Sequence, residues 1–253
     1  MPSRSYLVVP LLMILALASA IFGFGRLVWA DENHEAKMRL FLVGDSTVAE
    51  HDEGTSRGWG QYLHEFCPPS VKIYNCATGG RSSKSFQAEG HWKKVLARRP
   101  DVVLIQFGHN DALNKFPEIA TAADGEYREC LIRYVKTARE VGAVPIFVTP
   151  VHCRTFAANG ELRDGLKAYA EMMKKIAEKW QVPLIDLHEL SGQLFVRLGR
   201  DGSEHFANEP GDTVHFNEVG ARAMTMIVAE QLRQIEPRLV LARSVRLQAE
   251  AGK

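Results

Sequence analysis

Five short apolar runs rich in β-branched residues, at 38–43, 71–75, 102–107, 144–149 and 182–186, alternate with stretches of helical periodicity. Strands separated by helices cannot close as hairpins. They pair in parallel, with the crossover helices covering both faces of the sheet. Helices are expected from Trp59 ("GWGQYLHEF") and over 88–99, 126–142, 161–180 and 218–235. In the fourth of these, Leu162, Leu166, Tyr169, Met173, Ile176 and Trp180 make one stripe, which reads as core and not as a cofactor contact. A length of 253 residues with 46% hydrophobic content suits one α/β domain with a well-buried interior.

Ligands of open parallel sheets bind at the carboxyl edge of the strands. Here the strand ends carry small polar punctuation: "GDST" after the first, "NCATGG" after the second, "FGHND" after the third and "TPVHCRTF" after the fourth. The topology therefore gathers segments that are far apart in sequence. Ser46 in "GDST" can be a helix cap or a nucleophile. A nucleophilic serine needs a base, and the base needs an orienting acid. His215 in "GDTVHFNEVGA", with Asp212 three residues earlier, can supply both, since a turn of that length puts the two side chains on one side. Gly80 offers a backbone amide free of Cβ hindrance, and Asn110 offers a side-chain NH2. Each is weak alone: Asp212 suits a turn, Gly79 and Gly80 a tight turn, Asn110 an Asx turn. His34, His51, His64 and His91 lie in polar or helical surroundings and read as surface residues.

The formal net charge of +1 excludes a global field for nucleic acid or anionic membranes. Arg4 precedes an uncharged run over 6–25, and small residues end two candidate cleavage sites at Ala20 and Ala30. This predicts a secretory signal peptide over 1–30, with an uncleaved membrane anchor as the alternative, so the chain is expected to be secreted or periplasmic. The domain is expected over 31–235, followed by a tail over 236–253 that is either a peripheral helix or disordered. Cys67, Cys76, Cys130 and Cys153 match no metal motif and allow either disulfides or buried free thiols.

Taken together, "GDST", "NCATGGRS", "GHND" and "DTVH" occur in fixed order at the ends of the expected elements. With "GDSTVAE", "GWGQYL", "GGRSSKSF", "QFGHND", "TPVHCRTF" and "VPLIDL", the chain resembles the SGNH (GDSL-type) hydrolase superfamily, in its rhamnogalacturonan acetylesterase-like branch, over about residues 38–234. The resemblance implies a flavodoxin-like three-layer α/β/α sandwich whose five parallel strands are ordered 2-1-3-4-5. It implies Ser46 as nucleophile, His215 as general base and then acid, and Asp212 as its orienter. The oxyanion hole would comprise the Ser46 and Gly80 amides and the Asn110 side chain. It implies no metal and no organic cofactor.

The implied substrate is an O-acetylated plant polysaccharide, most simply rhamnogalacturonan or pectin, whose carboxylates are anionic. Arg81, Arg154 and Trp59 are the expected substrate contacts, with Arg57 and Lys84 as further cations on the same loops. The His and Cys of "TPVHCRTF" stand where such relatives are more basic, so the rim is expected to differ. Rival readings are a lipid esterase or thioesterase of the same superfamily, a non-catalytic carbohydrate-binding relative, and a metallohydrolase using His109, Asp111, Asp212 and His215.

Overall fold

The computed structural model describes residues 38–51 and 54–241. The expected signal peptide or anchor and the end of the tail lie outside them. Five strands, β1 (Met38–Val43), β2 (Val71–Asn75), β3 (Val102–Ile105), β4 (Val144–Val148) and β5 (Leu184–Ile185), form one sheet in the order β2-β1-β3-β4-β5. Every pairing is parallel, with Leu40 opposite Val102 and Val103 opposite Pro145. This is the flavodoxin-like arrangement expected.

Side chains of a strand alternate between faces, and the core divides accordingly. Leu40, Leu42, Leu104, Ile146 and Val148 pack on one side against a 3-10 helix (Trp59–Phe66) and the helices α5 (Leu187–Glu204) and α6 (Glu218–Ile235). Phe41, Val43, Val103, Ile105 and Phe147 pack on the other against α2 (His91–Ala97), α3 (Arg128–Glu140) and α4 (Lys167–Trp180). A short helix α1 (Ser83–Ala88) precedes α2. Among the described residues no helix is long and apolar enough to cross a membrane.

The boundaries depart from expectation for local reasons. Residues 161–166 are not helical, because Leu162 bridges Phe156 in an antiparallel pair and Asp164 accepts the Leu166 N–H at 3.2 Å. Helix α1 begins with a reciprocal capping box in which Ser82 and Ser85 exchange side-chain-to-backbone bonds. Helix α5 starts on Asp186, which accepts the Glu189 N–H, and kinks at Gly199. All four cysteines are free thiols. Burial alone pushes Cys67 up to about 12. The chain also packs beyond residue 235: Leu239 is fully buried, and the Leu241 N–H donates to the Phe66 carbonyl at 2.8 Å.

Candidate active site

The turn after β1 is held from beneath by a buried polar relay. Asp45 Oδ1 accepts both the Thr47 N–H (2.9 Å) and the Thr47 hydroxyl (2.7 Å). Thr47 Oγ1 accepts Gln106 Nε2 at 2.6 Å, and Trp59 Nε1 donates to Gln106 Oε1 at 2.9 Å. These residues are essentially inaccessible to solvent, whereas Ser46 between them is partly exposed. A buried polar group without a partner costs about 1–3 kcal/mol, so these bonds fix the turn, although Asp45 Oδ2 itself has no hydrogen-bond partner. The Ser46 carbonyl in turn accepts His51 Nε2 at 2.9 Å.

Opposite Ser46 stands the loop before α6. Ser46 Oγ lies 3.0 Å from His215 Nε2, and His215 Nδ1 lies 2.9 Å from Asp212 Oδ2. With Nδ1–H donating to the carboxylate, Nε2 is left as an acceptor for the serine hydroxyl. The other carboxylate oxygen of Asp212 accepts the Val214 and His215 amides at 2.8 Å each. Burial works to raise the Asp212 pKa, but these two amides and the imidazole outweigh it and hold the carboxyl below its usual range.

The loop after β2 packs on the same turn. The Thr78 N–H donates to the Gly44 carbonyl at 3.0 Å, and a methyl group on Gly79 would lie 3.6 Å from Ser46 Cβ. Gly80 has φ +75°, a left-handed conformation that glycine adopts without strain. Asn110 Nδ2 donates one hydrogen to the Arg81 carbonyl at 3.1 Å, which ties its amide to that loop.

Two expected substrate contacts are corrected. Trp59 is fully buried, its indole committed to Gln106, so it presents no surface to a ligand. Arg154 is only 4% exposed. Its Nη2 donates to the Asp212 and His215 carbonyls at 2.7 Å each, and its guanidinium lies 4.5 Å from the Phe216 ring centroid. It braces the His215 loop from inside. Its residue type suggested the rim, and nothing in the local sequence signals that its side chain turns inward. Arg81 is half-exposed, 3.0 Å from Glu89 and 2.9 Å from the Gly79 carbonyl. Lys84 pairs with Glu126 at 3.2 Å, and Arg57 donates to the Gly54 and Ser56 carbonyls.

The ligands of the rival metallohydrolase reading do not assemble as one set. His109 faces Asp45 at 3.4 Å, an ion pair whose geometry falls short of a hydrogen bond. Burial opposes the His109 charge, but the adjacent Asp45 prevails and raises it to about 10. Asp111 accepts the Ser83 amide, the Ser83 hydroxyl and the Thr121 hydroxyl. Asp212 and His215 are committed to each other.

The model of the GDSL-like lipase/acylhydrolase family matches residues 42–223. The probable rhamnogalacturonan acetylesterase YesY of Bacillus subtilis is 36% identical over 202 residues, covering 78% of this chain and 93% of that protein. Rhamnogalacturonan acetylesterase RhgT of the same organism is 34% identical over 214 residues, with 78% and 90% covered. Among solved structures, protein YxiM of Bacillus subtilis superposes with a TM-score of 0.70 at 25% identity, covering 79% of this chain but only 57% of that one. Axe2, an acetylxylan esterase from Geobacillus stearothermophilus, shares the fold with a TM-score of 0.63 at 22% identity, over 82% of this chain and 98% of that one.

Proposed function

The chain belongs to the GDSL-like lipase/acylhydrolase family, among carboxylic ester hydrolases, and from that premise we propose that it is an exported acetylesterase acting on an acetylated plant cell-wall polysaccharide, rhamnogalacturonan or a related pectin. The observation that carries this reading is the unbroken run of contacts from Ser46 Oγ through His215 to Asp212.

In the proposed cycle His215 Nε2 takes the Ser46 proton as Oγ attacks the acetyl carbonyl. The oxyanion is stabilised by the Ser46 and Gly80 amides and by the second N–H of Asn110. Loss of one such donor typically costs about 2.7–4 kcal/mol of barrier. The tetrahedral species collapses as His215 returns the proton to the leaving sugar oxygen, giving acetyl-Ser46 and a free hydroxyl. Water, deprotonated by His215, then attacks the acyl carbonyl, and His215 returns the proton to Ser46 Oγ as the acetic acid leaves, ionising to acetate in solvent. Asp212 remains ionised and holds the imidazolium throughout. On this reading residues 1–30 are the export leader, 31–235 the hydrolase domain and 236–253 a tail. Arg81 is left as the rim cation best placed to meet galacturonate carboxylates, since Arg154 is committed inside the loop.

Acetate release from acetylated rhamnogalacturonan, xylan and chitin, with Ser46→Ala as the control, tests the assignment. The pectic polymer should be the best substrate, and the variant should be inactive on all three. Preference for long-chain acyl esters would instead favour a lipid esterase.

A further inference from the structure

A second cluster of titratable side chains takes no part in that cycle. His152, in the segment after β4, and His188, in the first turn of α5, stack with ring centroids 4.7 Å apart and planes 20° from parallel. Both are more than nine-tenths buried. Each gives its Nδ1–H to a backbone carbonyl, His152 to Cys153 at 2.7 Å and His188 to Pro150 at 3.1 Å. That placement turns both Nε2 atoms to one carboxylate, and His188 Nε2 is hydrogen-bonded to Asp164 Oδ2 at 3.1 Å. Asp164 Oδ1 lies 3.0 Å from His188 Nε2 and 3.8 Å from His152 Nε2.

Two imidazole Nε2 atoms and a carboxylate at these distances are held together by a shared cation, either a proton or a metal ion that displaces it. Ligand atoms from the three residues lie within 4.8 Å of one another. A tetrahedral ion with bonds of about 2.0–2.1 Å holds its ligands roughly 3.3 Å apart, so only small side-chain movements would close the set. The surroundings are built to hold the rings. The His152 N–H donates to Ser191 Oγ at 3.0 Å, and the His188 N–H to Thr149 Oγ1 at 2.8 Å. A methyl on Gly192 would stand 3.1 Å from His152 Cδ2, so α5 presents a glycine where the ring packs. The three side chains also line a cavity of about 510 Å³.

We propose that His152, Asp164 and His188 form a binding site for one divalent transition-metal ion of the Zn²⁺ type, stapling the segment after β4 and the loop before α4 to the start of α5. Imidazole donors select Zn²⁺, Co²⁺ or Ni²⁺ over Mg²⁺ and Ca²⁺. Nδ1–H bonds to backbone carbonyls are the outer contacts that orient metal-binding histidines. Three protein ligands leave a further coordination position towards the cavity. The site is separate from the ester chemistry, whose groups are supplied by Ser46, His215 and Asp212. It shares a segment with it, because Arg154 follows His152 by two residues and holds the Asp212 and His215 carbonyls.

The test uses the full chain, stripped with chelator and titrated with ZnCl₂ and separately with CoCl₂. Stoichiometry is read by calorimetry and metal analysis, and thermal unfolding is followed in parallel. The expected result is one Zn²⁺ per chain, a visible Co²⁺ spectrum and a raised unfolding midpoint. Asp164→Asn, which retains the acceptor for the Leu166 N–H, and His188→Gln should each weaken Zn²⁺ at least tenfold and abolish the thermal shift. His64→Ala should leave binding unchanged. Should His188→Gln not fold, the more exposed Asp164 decides. Absence of stoichiometric Zn²⁺ on the wild-type chain, or equal affinity in Asp164→Asn, overturns the proposal and leaves a proton-bridged His–Asp cluster.

Discussion

Replacing Arg154 by Met separates a brace from a rim contact. The guanidinium makes two bonds of 2.7 Å to the Asp212 and His215 carbonyls. Hydrogen bonds to charged groups contribute about 1.5–3 kcal/mol each. Desolvation offsets part of this, since burial pulls the Arg154 pKa down to about 10 against the opposing charge of Asp212. A net loss of about 2–3 kcal/mol follows, or about 4–12 °C in Tm for a domain of this size. The kinetic effect comes from geometry, because a displacement of about 1 Å in a catalytic group can cost about 100-fold. On p-nitrophenyl acetate, kcat should fall about 10- to 100-fold with KM little changed. Wild-type kcat and Tm, with KM raised only on acidic pectin, would refute the bracing role and return Arg154 to the rim.

Asp212→Asn should keep the Val214 and His215 amide bonds but turn an NH2 towards His215 Nδ1, forcing the wrong tautomer. A kcat loss of about 10³–10⁴-fold is expected in steady-state hydrolysis, with a similar fold by circular dichroism. The His109–Asp45 pair sets a pH window. His109 is raised from its ordinary 6.5 to about 10, so the stability it contributes is complete below about 6.5, declines as pH rises and is gone above about 10. Denaturation midpoints of wild type and His109→Gln should therefore differ at neutral pH and converge above about pH 10; a constant gap would contradict this. Arg81→Glu should raise KM on acidic pectin but leave a neutral acetate ester unaffected.

What was readable from the sequence follows from how far each signal depends on tertiary contact. The runs 38–43 and 71–75 coincide with β1 and β2, and 218–235 with α6, because apolar periodicity is local. Helix α5 was not expected from the sequence: Gly192, Gly199 and Gly202 weaken its helical signal, yet they serve close packing on His152, a kink and packing on Leu198. Ser46, Asp212 and His215 could be grouped in advance because strand ends of a parallel sheet gather at one edge and because the four blocks together resemble the SGNH pattern. The inward turn of Arg154, the burial of Trp59 and the meeting of His152, Asp164 and His188 depend on side-chain directions across elements, which no residue spacing encodes.

In the proposed cycle His215 makes the Ser46 hydroxyl nucleophilic. The most direct measurement of this is covalent labelling with a phosphonate ester, mapped by peptide mass spectrometry. Wild type should carry one adduct, on Ser46, formed in step with loss of esterase activity, and His215→Ala should label far more slowly. Full activity without an adduct, or an adduct elsewhere that accounts for the loss, would contradict it.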